Sequence, residues 1–328
     1  RQRQMCIRDR YNDAAIVVIG RSGSESVDLP TEYLSFTQEE RNLIQMATER
    51  FDKVILLLNV TNPINMTELS PYDIDAVLWV GALGQEGAYA IGEALNGTVN
   101  PSGHLVDTWA ADAASAPAAA NLGDYTITNS DVFAGNKYIV YAEGVYVGYR
   151  YYETRYEDVV LGNEARSNYD YTKQVAYPFG YGLSYTDFTW SDYSMKKADG
   201  GFDISVKVTN TGKTAGKDVV QLYMQSPYTD YDKANGIEKA SVELVGYAKT
   251  DTLKAGASET VTVHVDQESM KTYDSAGEGT YIMDAGDYYL AAGTDAHNAL
   301  NNILAAKGKT TGDGMTENGN AALAAKHT

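Results

Sequence analysis

The stretch AAIVVIGRSGSESVDLP, residues Ala14–Pro30, decides the fold of the first part of the chain. Ala14–Ile19 is a continuous apolar run that stops at Gly20, which is typical of a strand buried on both faces of a parallel sheet. Loops beyond the carboxyl ends of such strands form the ligand crevice. The polar loop that follows holds Glu25 and Asp28, which are therefore the candidate catalytic residues. The alternative is that both carboxylates only solvate the loop.

Strand and helix patterns alternate after this loop. Thr37 and Glu40 have capping-box spacing and precede apolar residues at helical intervals, which predicts an amphipathic helix of about four turns. The other predicted elements are strands at Lys53–Val60 and Ala76–Val80, a helix at Gln85–Leu95 and a strand at His104–Trp109. Short units of this kind predict a parallel sheet with right-handed crossovers.

The hydrophobic period changes in the second part of the chain. Residues 111–142 lose the pattern and are predicted to form a long loop. Apolar residues then alternate strictly with polar ones over Phe202–Val208 and Val261–Val265, which predicts an antiparallel β-sandwich over residues 186–306. The polar, Gly-rich residues 307–328 are predicted to be a linker.

The first ten residues differ in composition from the rest of the chain. RQRQMCIRDR carries four arginines and one aspartate, whereas the whole chain has a net charge of -18. We interpret residues 1–10 as a non-native segment and residues 11–185 as the α/β domain. A basic targeting arm is the alternative interpretation of residues 1–10.

Composition limits the possible partners. A chain of 328 residues with net charge -18 repels nucleic acid and anionic membranes, so a neutral or polar small substrate fits better. The longest apolar run, Val54–Leu58, is far shorter than the roughly 20 residues of a membrane-spanning helix. Cys6 has no partner cysteine, and the four histidines lack metal-ligand spacing, so neither a metal site nor a cofactor is predicted. No signal peptide is recognisable, and the compartment stays undetermined.

Three long segments carry a family resemblance. They are GALGQEGAYAIGEALNGTVNPSGHLVDTW at Gly81–Trp109, EGVYVGYRYYE at Glu143–Glu153 and YPFGYGLSYTDF at Tyr177–Phe188. In this order they resemble the C-terminal half of glycoside hydrolase family 3. The resemblance implies an α/β sandwich domain followed by an immunoglobulin-like, fibronectin type III-like β-sandwich, with the opening strand–helix units of the first domain absent before Tyr11.

The resemblance also implies a function. It suggests a fragment of a retaining, exo-acting β-glycosidase of the β-glucosidase type that acts on a β-linked oligosaccharide or glycoside. In that family a barrel domain, which nothing in this chain resembles, carries the nucleophilic aspartate. The acid/base is expected on a loop of the sandwich domain, where Glu25 matches and Asp28 is the second candidate. Ser26 departs from the glycine that is more usual after the acid/base.

Two further expectations remain open. The chain is either part of such an enzyme or, from a different functional class, a catalytically silent scaffold or sugar-binding accessory module. Arg150 is expected to bridge the two domains rather than to line the crevice, and no residue is assigned to substrate binding.

Overall fold

The fold is described by a computed structural model over residues 13–21, 30–123, 125–162 and 168–328. Its contacts divide the chain into two compact units. The first unit comprises Arg1–Val99 and Trp109–Ala114, and the second comprises Asn100–Thr108 and Ser115–Thr328. None of the helices in the described ranges has the length and apolar character needed to cross a membrane.

A three-stranded parallel sheet forms the first unit. Its strands are β1 (Ala15–Gly20), β2 (Val54–Asn59) and β3 (Ala76–Trp79), hydrogen-bonded in that order. Ala15 pairs with Val54 at one end of β1 and β2, and Gly20 pairs with Asn59 at the other. The predicted parallel sheet is therefore confirmed.

Only one face of β1 is buried, so the expectation of burial on both faces is wrong. Val17 and Ile19 are 5% and 2% exposed, whereas Ile16 and Val18 are 52% and 57% exposed. β1 lies at the edge of the sheet, and its apolar composition does not reveal whether a second layer covers it. The central strand β2 is covered more completely, because Leu56, Leu57 and Leu58 are all buried.

Helix α1 (Gln38–Thr48) confirms the predicted cap. The Thr37 hydroxyl accepts a hydrogen bond from the Glu40 N–H at 3.2 Å, and the Glu40 carboxylate accepts one from the Thr37 N–H at 2.8 Å. The helix has 11 residues, about one turn fewer than expected. Helix α2 (Gly87–Leu95) also forms where it was predicted.

The strand predicted at His104–Trp109 is wrong except at its end, where Trp109–Ala110 form the short strand β4. Leu105 explains the difference, because its N–H donates to the Tyr181 carbonyl at 2.8 Å and its carbonyl accepts from the Gly180 N–H at 2.9 Å. The backbone of this segment therefore pairs locally with a turn from a distant part of the chain.

The beginning of the second unit contains three helices that the sequence analysis missed, of which one is long. The elements before the sandwich are α3 (Pro117–Asn121), β5 (Tyr125–Thr126), β6 (Lys137–Tyr138), α4 (Tyr149–Val160), α5 (Tyr171–Gln174) and β7 (Val175–Tyr177). Residues 111–142 hold only short elements, as expected. Helix α4 buries Tyr152, Glu153, Tyr156 and Val160 along one face. Its many tyrosines concealed the helical period.

The rest of the second unit is the predicted antiparallel β-sandwich. Its strands are β8 (Phe188–Ala198), β9 (Gly201–Asn210), β10 (Val219–Gln225), β11 (Glu243–Lys249), β12 (Ser258–Asp266), β13 (Thr272–Asp274), β14 (Thr280–Ile282), β15 (Tyr288–Gly293) and β16 (Ala324–His327), and its helices are α6 (Asp230–Asn235) and α7 (Ala296–Ala306). One sheet has the order β11-β10-β15-β16 and the other β12-β9-β8. The alternating Ile204, Val206 and Val208 fill the core with Leu222 and Leu290.

The segment after Lys307 is not a linker, which corrects the prediction for residues 307–328. Strand β16 pairs with β15 from Tyr288↔His327 to Ala291↔Ala324. Gly319 lies so close to helix α7 that a Cβ there would come 1.9 Å from the Asn301 carbonyl oxygen. The polar, Gly-rich composition of this segment thus reflects close packing of its backbone rather than flexibility of the chain.

A buried charge pair also holds this segment. Nδ1 of His297 lies 2.8 Å from the Glu153 carboxylate, and Nε2 lies 2.7 Å from the Thr316 hydroxyl. The Tyr171 hydroxyl donates to Glu153 at 2.6 Å and its ring stacks on the imidazole. Helices α4, α5 and α7 and the C-terminal segment therefore meet at one imidazole.

Stability of the second unit should depend on pH through His297. Burial alone lowers the pKa of His297, but the Glu153 carboxylate outweighs burial and raises it above the ordinary 6.5. A raised histidine pKa gives stabilisation that is complete below 6.5 and is lost as the pH rises through the raised value. We expect His297→Gln to lower the free energy of unfolding by roughly 3 kcal/mol at pH 5.5 and by clearly less at pH 9. Urea denaturation at several pH values measures this difference.

The matched control is His264→Gln, which removes a pair with Asp203 whose side chains are 44% and 47% exposed. Its cost should stay below about 1 kcal/mol at every pH. Burial raises the pKa of Asp295 to about 6, which acts in the same direction as His297, and because charged His297 lowers this pKa, His297→Gln changes the contribution of Asp295 as well. A cost of His297→Gln that does not change with pH would contradict the prediction.

Gly180 should be irreplaceable in the turn that contacts β10. Its φ is +85°, and a Cβ would lie 2.1 Å from Oε1 of the buried Gln221, whose Nε2 donates to the Gly180 carbonyl at 2.9 Å. Gly200 also has a positive φ, +72°, but open space around it. Both alanine variants carry backbone strain of about 1–2 kcal/mol, and Gly180→Ala should lose about 1–3 kcal/mol more by displacing Gln221. Equal midpoints of urea unfolding would disprove this.

Candidate active site

The candidate site lies at the carboxyl edge of the parallel sheet. Strands β1, β2 and β3 run in the same direction and end at Gly20, Asn59 and Trp79. Their following loops therefore leave from one edge, which is where α/β sheets bind ligands. Glu25 and Asp28 belong to the loop of residues 22–29, which lies outside the described residues. Their geometry is not described, but both ends of their loop are.

Arg21 fixes the beginning of this loop. Its N–H donates to the Asn59 carbonyl at 3.1 Å, which continues the pairing of β1 with β2 by one residue. Its guanidinium donates to both oxygens of Glu40, at 2.8 Å for one of them, and to the Ser35 carbonyl at 3.0 Å. The guanidinium also lies 5.6 Å from the centre of the Tyr33 ring. The chain therefore enters the loop from a fixed point.

Glu40 has two roles in this arrangement. It completes the cap of α1 and also pairs with Arg21, and the two side chains are only 18% and 5% exposed. Burial alone would raise the pKa of Glu40, but the hydrogen bonds from Arg21 and Thr37 outweigh burial and lower it. Glu40 therefore stays ionised as a structural carboxylate.

The end of the loop is fixed by a separate set of contacts. After Pro30 the chain forms a 3₁₀ helix, Thr31–Leu34, and the Leu34 carbonyl accepts from the Asn65 N–H at 2.8 Å. Phe36 is buried at 2% exposure, and its N–H donates to the Glu68 carboxylate at 3.3 Å. Thus the eight residues 22–29 are tethered on both sides to the body of the unit.

Polar and aromatic side chains at the neighbouring strand ends were not identified from the sequence. The Asn59 amide donates to the Gly81 carbonyl, and the Trp79 indole donates to the Val60 carbonyl at 2.6 Å. Trp79 packs edge-on against Trp109, with ring centres 5.8 Å apart. The available signal was a single asparagine at the end of the apolar run KVILLLN.

The structure also gives contacts for Arg150 and Tyr149, which the sequence analysis considered. Arg150 lies 3.2 Å from Glu243, so it links helix α4 to strand β11 within the second unit. The Tyr149 hydroxyl accepts from the Leu244 N–H at 2.9 Å, and its ring stacks on Phe179. Within the described ranges, no group of three His, Cys, Asp or Glu side chains could hold a metal ion.

Arg21 should be important for the stability of the first unit. Arg21→Met leaves Glu40 buried without its cation, and we expect a loss of about 3 kcal/mol in the free energy of unfolding. The double variant Arg21→Met/Glu40→Gln keeps a capping side chain and removes the unpaired charge, so it should be more stable than Arg21→Met alone. Arg50→Met, at an exposed residue just after α1, is the matched control and should change stability by less than about 0.5 kcal/mol. Equal effects of the single and double variants in urea denaturation would contradict the pairing.

Comparisons with known proteins agree with this architecture. Residues 6–149 match the glycosyl hydrolase family 3 C-terminal domain, and residues 218–296 match a fibronectin type III-like domain. The chain is 34% identical over 294 residues to a β-glucosidase of Ruminococcus albus, and the match covers 88% of this chain and 28% of the relative. It is 35% identical over 277 residues to β-glucosidase A of Butyrivibrio fibrisolvens, with 79% of this chain and 30% of the relative covered.

Solved structures of β-glucosidases are also similar to this chain over most of its length. β-glucosidase 3B from Thermotoga neapolitana, determined with α-D-glucose, superimposes with a TM-score of 0.72 at 29% identity over 90% of this chain and 38% of that protein. A β-glucosidase from Paenibacillus barengoltzii gives 0.72 at 32% identity over 89% of this chain and 29% of that protein. The chain thus spans about a third of the length of the relatives that it matches. It belongs to glycoside hydrolase family 3, of which it carries the C-terminal domain and the fibronectin type III-like domain.

Proposed function

We propose that this chain supplies Glu25 as the general acid/base of a retaining β-glucosidase-type enzyme, whose nucleophile lies on a barrel domain of the same longer polypeptide. The observation that supports the proposal best is the position of the loop at residues 22–29. It follows β1 directly at the carboxyl edge of the sheet, and contacts of Arg21 and Leu34 tether its two ends. Ligands of α/β sheets bind beyond the carboxyl ends of the strands, which is where this segment begins.

The reaction requires two carboxyl groups with different protonation states. In the first step, a carboxylate attacks the anomeric carbon while the protonated Glu25 donates its proton to the leaving glycosidic oxygen, which departs as the alcohol. In the second step, ionised Glu25 removes a proton from water, and the water oxygen attacks the anomeric carbon and displaces the carboxylate. The sugar leaves with retained configuration, and Glu25 is protonated again.

Geometry explains why this chain would need the barrel. The two carboxyl groups of a retaining enzyme stand about 5–5.5 Å apart across the scissile bond. One carboxylate cannot both attack the anomeric carbon and protonate the leaving oxygen. Relatives named as β-glucosidases are about three times as long as the matched region, which leaves room in them for the domain that carries the second group.

Burial by the barrel and the substrate would also keep Glu25 protonated, as a general acid must be before it donates its proton. A general acid must hold its proton near neutral pH, and burial in an apolar environment raises a carboxyl pKa. We therefore expect Glu25 to become an effective acid only when the barrel covers it. Asp28, three residues later, is the second candidate for the role.

The substrate class follows from charge and from the relatives. A chain with net charge -18 favours a neutral ligand, and the printed names of the relatives denote β-glucosidases. We propose a β-linked oligosaccharide or glycoside. The proposed reaction uses carboxylates alone.

The test compares Glu25→Gln with wild type in the longer polypeptide that joins this chain to its barrel. Glu25→Gln should slow glycosides with poor leaving groups by about 10²–10⁴-fold and should affect activated aryl glycosides much less in the first step, because only poor leaving groups depend on proton donation. Added azide should restore turnover of the activated substrate, since it attacks the glycosyl-enzyme without a base. Steady-state kinetics with the two substrate classes measure both effects.

Asp28→Asn is the matched control and should leave this dependence on the leaving group unchanged. If Asp28→Asn shows the pattern and Glu25→Gln does not, the acid is Asp28. The 328-residue chain alone should not hydrolyse an aryl β-glucoside. Activity of the chain alone would contradict the proposal that the nucleophile lies on a barrel domain, whereas a complete gene without a barrel would favour the scaffold or accessory-module alternative.

A further inference from the structure

The second unit contains a groove of about 510 Å³ that the proposed hydrolysis does not use. Pockets that bind small ligands usually measure about 300–1,000 Å³, so the groove is large enough for a specific ligand. Its lining residues come from five separated segments of the chain: Ser102 and His104, residues of the run 182–190, Lys217 and Asp218, Thr294 with Asn298 and Asn302 of helix α7, and finally the C-terminal segment.

The C-terminal segment forms one wall of the groove. Asn318, Asn320 and Leu323 line it, opposite residues of strand β8. The Asn320 N–H donates to the Asn302 side chain at 2.7 Å, and the Asn302 amide donates to the Ala292 carbonyl at 2.9 Å. These contacts hold the wall against helix α7, so the groove is formed before any ligand arrives. A preformed site loses little entropy on binding.

Several polar groups in the groove have hydrogen-bonding capacity left. The side chains of Asn318 and Lys217 line the groove and are exposed, so both can hydrogen-bond to a ligand there. Asp218 is held in place, because one of its oxygens accepts from the Trp190 indole at 2.6 Å and the other from the Val219 N–H at 2.9 Å. The groove thus offers both donors and acceptors at fixed positions.

The charge of the lining favours a neutral ligand. The lining contains Lys217 and two aspartates, Asp187 and Asp218, which leaves one excess negative charge. Burial lowers the pKa of His104, so its imidazole is neutral at pH 7. An anion would be repelled by the whole chain as well, whose net charge is -18.

We propose that this groove binds a neutral oligosaccharide. The carboxamide of Asn318 pairs a donor with an acceptor, as neighbouring sugar hydroxyls do, and Phe188 and Trp190 provide apolar surface for the C–H face of a sugar ring. The groove would hold glycan next to the enzyme without taking part in hydrolysis. This proposal does not rest on the role of Glu25.

The test is calorimetric titration of the 328-residue chain with cellohexaose and with laminarihexaose. At least one of them should bind saturably at one site. Asn318→Ala should weaken binding by about tenfold, as expected for the loss of a hydrogen bond, and Asn318→Trp should abolish it by filling the groove. Glu25→Gln should leave the affinity unchanged, which separates this site from the catalytic loop.

Asn129→Ala is the matched control, because Asn129 is an exposed asparagine of the same unit outside the groove. It should not change the affinity, and circular dichroism should show that each variant is folded. The proposal is overturned if neither hexasaccharide binds at millimolar concentration, if Asn129→Ala weakens binding as much as Asn318→Ala, or if inorganic phosphate binds the groove and the saccharides do not.

Discussion

The parallel pairing of β1 with β2 is the constraint on which the candidate site depends. Parallel strands cannot be joined by a tight turn, so the chain must cross over through helix α1 before it returns as β2. The same pairing brings Gly20 level with Asn59, and the loop of residues 22–29 must therefore leave at the carboxyl edge. The edge at which β1 ends is therefore a consequence of strand direction rather than of local sequence.

In each unit, a buried charge pair holds neighbouring segments of the chain together. Arg21 and Glu40 are 19 residues apart, and Glu153 and His297 are 144 residues apart. The first pair joins helix α1 to the residue after β1, and the second joins helix α4 to helix α7. Loss of one partner leaves an uncompensated charge in a poorly solvated place, so each pair specifies one arrangement of its neighbours more strictly than apolar packing could.

The C-terminal segment shows how close packing can look like flexibility in a sequence. Gly319 is required because the Asn301 carbonyl oxygen occupies the space of a Cβ, and the N–H of the neighbouring Asn320 donates to the Asn302 side chain of α7. The residues that make the segment appear to be a linker are the ones that let its backbone approach the helix. They also form a wall of the groove that we propose as a glycan site.

The sequence by itself determined the parallel sheet, the capped helix α1, the antiparallel sandwich and the family, because periodicity, capping and long motifs are local properties. Most of the strands and helices that the sequence predicted are present in the structure. The sequence also assigned Glu25 and Asp28 to a loop after a strand. Prediction from the sequence failed where contacts between distant residues determine the local structure. The segment His104–Trp109 hydrogen-bonds to Gly180 and Tyr181 instead of forming a full strand, and Ile16 and Val18 lie on an uncovered face of β1. Only the tertiary structure revealed the partners of Arg21 and His297 and the groove, because contacts between residues far apart in the chain leave no periodic trace in the sequence.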